Sequence, residues 1–182
     1  MSSRGYTAGS STGALESLRT RLVQRDVNSL SEVNATFAHG GPEDNEICIV
    51  ITPKAAQCFS FLQQVPSGPH VLWQNFGADQ GDFLVPGGHW CWPAWKSVSH
   101  LVSQQRFTFN AKPKKCPTRD AVFVDVNLSI SLSVASDFER VKTFVYCLGA
   151  ERLDAYLLMQ VEESIRTLVF GVTHDRVNDL RS

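Results

Sequence analysis

Residues 121 to 134 restrict the fold more than any other stretch of the chain. Val122, Val124, Val126, Leu128, Ile130, Leu132 and Val134 take every second position. Phe123, Asp125, Asn127, Ser129, Ser131 and Ser133 fall between them. A period of two is the period of the β-pleat, so apolar side chains line one face and polar ones the other. The pattern predicts one long, half-buried strand. At ~3.3 Å per residue it would exceed ~40 Å, longer than most strands. A single wet face is typical of antiparallel sheets. The polar face, with Asp125, Asn127, Ser129 and Ser131, is the candidate interface to water or to a neighbouring subunit.

The period then changes. Ser136 with Glu139 reads as a capping box opening onto Phe138, Val141, Val145 and Leu148, with Gly149 as the stop. Leu153, Leu157, Val161, Ile165 and Leu168 form a second helical stripe that ends at Gly171. On it Glu162 and Arg166 stand four apart in the favoured order. Thr173 is placed to cap a last helix over 174–181. Upstream, Ile47–Ile51, Gln57–Val65, Val71–Phe76 and the stretch from Val98 to Phe109 read as strands, divided by Pro and Gly turns. Leu15, Leu18, Leu22 and Val23 suggest a short amphipathic helix over 14–30. Residues 1–13, rich in Ser, Gly and Thr, are expected to be disordered. These readings divide the chain into that N-terminal stretch, a helix-and-loop extension over 14–45, and a single domain over 46–182. Along that domain, strands come first and helices last.

Little in the sequence points to chemistry. Lys+Arg and Asp+Glu number 17 and 18, a net charge of −1, which gives no general attraction to nucleic acid. The nearest basic cluster, Lys112, Lys114 and Lys115, is interrupted by Pro113. The five cysteines include no Cys-x-x-Cys pair and read as reduced thiols in a cytosolic-type compartment. His89, Cys91, His100 and Cys116 match no standard zinc spacing, so no metal is expected. Glu162 and Glu163 are adjacent and point to different sides of a helix, so they form no catalytic pair. No Gly-rich phosphate loop and no nucleophile elbow occurs, so neither a cofactor nor catalysis is expected. Trp90, Trp92, Trp95, Phe107 and Phe109 have no basic residues among them, and a packed core is their expected place. The stretch from Ala55 to Ala78 has no charge, but its Gln, Pro and His residues exclude a lipid-facing helix. No signal peptide or transmembrane helix is read.

The order of several short motifs resembles a known family. They are Pro86-Gly-Gly-His-Trp-Cys-Trp-Pro93, Arg106-Phe-Thr-Phe109, Cys116-Pro-Thr-Arg-Asp-Ala-Val-Phe-Val-Asp-Val126, Val161-Glu-Glu-Ser-Ile-Arg166 and Arg176-Val-Asn-Asp-Leu-Arg181. Together, from Ile47 to Arg181, they look like a band 7 (SPFH; stomatin, prohibitin, flotillin) domain. The resemblance implies an α+β fold class, a twisted antiparallel β-sheet with C-terminal helices packed on one side. It implies a non-catalytic scaffold that self-associates and organises complexes on the cytoplasmic side of a membrane, peripheral to it. It implies that Pro86 and Gly87 make a turn, and that Thr118, Arg119 and Asp120 fix the entry to the alternating strand. Relatives usually carry a hydrophobic hairpin or acylation site before the domain and a coiled coil after it; neither is read here, and a longer natural chain is the expectation. A soluble adaptor similar to the vault shoulder domain, with no membrane role, is the alternative.

Overall fold

The computed structural model describes residues 19–39, 45–54, 62–90, 92 and 95–172. Its centre is a five-stranded sheet. Strand β1 (Arg21–Val27) lies at one edge beside β2 (Glu46–Pro53). Next come β7 (Lys96–Ser103), β4 (Pro69–Asn75) and the short edge strand β5 (Ala78–Asp79). All pairings are antiparallel except β1 with β2, which is parallel. The helix read over 14–30 is corrected accordingly: from Arg21 the chain is a strand, and residues 14–18 lie outside the described part. The register slips between Val23 and Gln24, a β-bulge. The extra residue is Ile49 on β2, and β1 keeps its alternation: Leu22 packs on one face of the sheet, Val23 and Val27 on the other. A 3₁₀ turn (Leu30–Glu32) and helix α1 (Val33–His39) follow.

The sheet is covered on both faces, which explains the uninterrupted apolar runs in its central strands. Cys48 and Ile51 of β2, Val71 of β4 and Leu101 of β7 pack with Val27, Leu30, Val33 and Val65 on one side. Ile49, Val50, Leu72 and Val102 pack on the other with Phe107, Phe109, Val141, Val161 and Ile165. The reading of Val98 to Phe109 as one strand or a pair resolves to the pair, β7 and β8 (Phe107–Ala111). Of the strand read over 57–65, β3 (Leu62–Val65) is described; it pairs with β6 (Gly87–Trp90).

The single long strand over 121–134 is also corrected. The segment contains β10 (Phe123–Val124), paired with β9 (Cys116–Pro117), and β11 (Leu128–Leu132), paired with β8. The break comes from the partner side. Pro113 has no N–H to give, and Lys115 turns through a left-handed φ of 53°, so the ladder opposite is interrupted. Val126 bridges the gap by donating its N–H to the Pro113 carbonyl at 3.2 Å. The alternation itself survives: Val124, Val126, Leu128, Ile130, Leu132 and Val134 pack on the core, and the residues between them face outward.

The glycine stop read at Gly149 falls at the end of the first helical segment. Helix α2 (Phe138–Thr143) passes into a π-helical turn (Phe144–Leu148) and then into α3 (Gly149–Phe170). Gly149, at φ 72°, marks the joint, a conformation in which a Cβ is strained. Asp137, rather than Ser136, is the N-cap, its carboxylate accepting from Arg140 N at 3.3 Å. A charged cap one residue nearer the helix also meets the helix dipole. The last turn closes at Gly171. The helix read over 174–181 lies outside the described residues.

Candidate functional site

The corner before the alternating segment is a closed hydrogen-bonded unit. Thr118 is 2% exposed. Its hydroxyl donates to the Val122 carbonyl at 3.0 Å and accepts from Val122 N at 3.2 Å. Its own N–H donates to the same carbonyl at 2.9 Å, and Ala121 turns through φ 57° between them. Arg119 N donates to Val172 O, joining the corner to the end of α3, while the Arg119 and Asp120 side chains face solvent. On the outward face of the next segment, Asp125 accepts from Lys115 N at 2.9 Å. Ser129 donates to Asn110 Oδ1 at 2.7 Å. Asn127 and Ser131 are exposed. This face is thus partly committed to holding its own ribbon together.

The Pro86 turn is of a different kind. Pro86 is exposed and Gly87 takes φ 131° as β6 begins, a conformation that L side chains rarely adopt. The tryptophans that follow are not in a core, contrary to expectation: Trp90 is 72% exposed, and Trp92 and Trp95 are each 52% exposed. Phe107 and Phe109 are buried as expected. Trp90 is the last paired residue of β6, opposite Leu62, and Trp92 and Trp95 fall beyond it. Trp92 and Trp95 pair at 5.9 Å between ring centroids, and Trp95 meets Phe76 at 5.3 Å. Phe76 is itself exposed and sits at φ 52°, beside Gly77 at φ 77°, in the tight β4–β5 turn. A large aromatic held in the left-handed region at a loop tip costs about 1 kcal/mol or more. Several exposed rings are thus gathered at one end of the sheet.

A polar network at the π-helical turn escaped sequence reading. Tyr146 donates to Asp79 Oδ1 at 2.9 Å and meets Ser99 Oγ at 3.0 Å. Gln74 Nε2 donates to Asp79 at 3.0 Å and to the Tyr146 hydroxyl at 3.2 Å. Lys142 Nζ stands 3.7 Å from Asp79. Ser99 Oγ lies 2.6 Å from His100 Nδ1. Burial by itself would push the Asp79 carboxyl up, but the donors from Gln74, Tyr146 and Lys142 hold it below its usual range. Burial pulls His100 down, against the opposing charge of Asp79, and also pulls His70 down. Burial pushes Tyr146 up. The network ties the helical layer to the β4–β5 edge. Its members come from five separate elements, so no spacing in the chain announced them. A π-turn is the one local signal, and such turns frequently mark functional positions.

Among the described residues, no group of three metal-ligating side chains comes together. Cys116 is buried, His89 is half-buried, and Cys91 lies outside the described residues. Burial pushes the Cys48 thiol up to about 11, with Arg25 opposing the shift. No described helix is long and apolar enough to cross a membrane.

A model of the SPFH domain / Band 7 family matches residues 63–182, more than half of the chain. The chain belongs to the SPFH domain / Band 7 family. The match starts later than the resemblance read from Ile47, and β1 and β2 lie before it. SPFH proteins are membrane-associated scaffolds and generally not enzymes. The mixed sheets and long C-terminal helix seen here are consistent with an SPFH-type domain. No curated protein matches the chain.

Proposed function

We propose that this chain is a non-catalytic SPFH assembly domain that self-associates and rests on a membrane surface through its aromatic end. The gathering of exposed large apolar side chains carries the reading. Phe76, Trp90, Trp92 and Trp95 sit at one end of the sheet, as amphipathic rings do at a lipid–water boundary. Tyr156, Met159, Leu168 and Phe170 are exposed along α3 and favour contact with a second copy. The outward face with Asp125, Asn127, Ser129 and Ser131 forms the polar margin of that contact. Sedimentation velocity on the whole chain, with flotation on phosphatidylcholine vesicles, tests both parts. Oligomers that float, and that stop floating in Trp90→Ser/Trp92→Ser, are expected; a monomer that stays with the aqueous phase overturns the reading.

A soluble adaptor role is favoured by a different feature. An open depression of about 560 Å³ lies between the α1 region and the two proline turns, lined by Leu30, Asn34, Val65, Pro66, Pro86 and Gly87. On this reading an extended protein segment lies there, and Asn34→Arg abolishes its capture without changing flotation.

A further inference from the structure

A second cleft, distinct from that depression, opens between the end of β2, β3 and the first half of β7. Its volume is about 340 Å³, within the range of small-ligand sites. Lys54, Lys96 and His100 line it, with the hydroxyl of Ser97 and the amide of Gln63. Neither Lys54 nor Lys96 has a carboxylate partner among the described residues. Lys96 is instead held over the Trp73 ring, 5.3 Å from its centroid. Two lysines and a hydroxyl in one concavity form an anion-binding arrangement.

Gln63 adds the second observation. It is 8% exposed, and its Oε1 is buried with no donor among the described residues. A buried acceptor left unmet destabilises the fold, and a bound donor removes that cost. The same residue, with Lys96 and Trp90, lines an inner recess of about 30 Å³ that continues from the cleft. The site therefore presents cationic groups to a ligand anion and an acceptor to a ligand hydroxyl, and an exposed tryptophan stands at its rim.

We infer that this cleft binds a phosphorylated polyol, with its phosphate on Lys54 and Lys96 and a hydroxyl donating to Gln63 Oε1. The site needs neither oligomers nor a membrane, so it stands apart from the function proposed above. Both a free sugar or polyol phosphate and the headgroup of a polyol phospholipid have this chemistry. The test is calorimetry on the whole chain with myo-inositol 1-phosphate and with inorganic phosphate, beside flotation on phosphatidylcholine vesicles containing phosphatidylinositol or phosphatidic acid.

The polyol phosphate is expected to bind more tightly than inorganic phosphate. Lys54→Ala/Lys96→Ala is expected to weaken it at least tenfold with Tm unchanged. Gln63→Leu is expected to erase the preference for the polyol while leaving Tm equal or higher, since it removes the unmet acceptor. Calorimetric binding without flotation assigns the site to a soluble ligand. Flotation favouring phosphatidylinositol over phosphatidic acid assigns it to a headgroup. No binding of the inositol compound in either form, equal binding of inorganic phosphate, or indifference to the lysine pair overturns the inference.

Discussion

The turns at Pro117 and Pro86 serve opposite ends. The Pro117–Asp120 corner is closed: the Thr118 side chain is buried, both ends of its hydroxyl are used, and Arg119 N ties it to the end of α3. The Pro86–Trp95 turn is open, and its rings lie on the surface. Both are rich in the same punctuation, yet one holds the fold together and the other has its apolar area free for a partner. Sequence signals of a turn locate it without saying which of these it is. Burial of the side chains that follow decides that, and burial depends on what lies across.

The contrast makes ordered predictions for the two ends. The largest effect belongs on the corner side, where α3 grips β1. Asp154 on α3 pairs with Arg19 and accepts from Leu22 N at 3.1 Å, largely shielded from water. Asp154→Ala leaves a guanidinium and a backbone donor unmet and should cost about 3 kcal/mol in urea unfolding. Next is Thr118→Val, which keeps the shape but removes both hydroxyl bonds, with an expected loss of about 2 kcal/mol by the same measurement. A smaller effect belongs to the network end. His100 and His70 both have folded pKa values depressed by burial, so they contribute stability that is present above the unfolded value of 6.5 and is lost as pH falls below it. Tm should therefore decline on acidification through that range, and His100→Gln, which stays neutral, should flatten part of the decline. The smallest stability effect is expected at the open turn: Trp90→Ser should shift unfolding by no more than about 0.5 kcal/mol. A Trp90 loss comparable to that of Thr118 would erase the distinction between the two turns.

Much of the architecture was legible, and the exceptions have physical causes. Continuous apolar runs such as Ile47–Ile51 announced strands, and the alternation through Val134 announced which side chains face inward. The ladder was not legible there, because its break is set by Pro113 and Lys115 on the opposite strand. Strand β1 was misread because Leu22 and Val23, which pack on opposite faces of the sheet, were read as neighbours on one helical stripe. The tryptophans were assigned to a core because no basic residues stand among them, although nothing in a sequence says whether a covering layer exists. The Tyr146 network and the Lys54–Gln63–Lys96 cleft join residues from distant elements, so only the folded sheet brings them together.

The bond between Arg19 and Asp154 spans 135 positions of the chain. It implies an order of events during synthesis. Strand β1 leaves the ribosome first, but its grip on α3 waits until nearly the whole domain has been made, and such non-local closure slows folding. Until then β2 lacks the cover that β1 and α3 provide together, and Ile49 and Val50 are open to wrong partners. A fragment cut at the family boundary, residue 63, would remain in that unfinished condition permanently, with the β7 edge bare. Its expected fate is aggregation, whereas a chain that retains residues 19–62 can close.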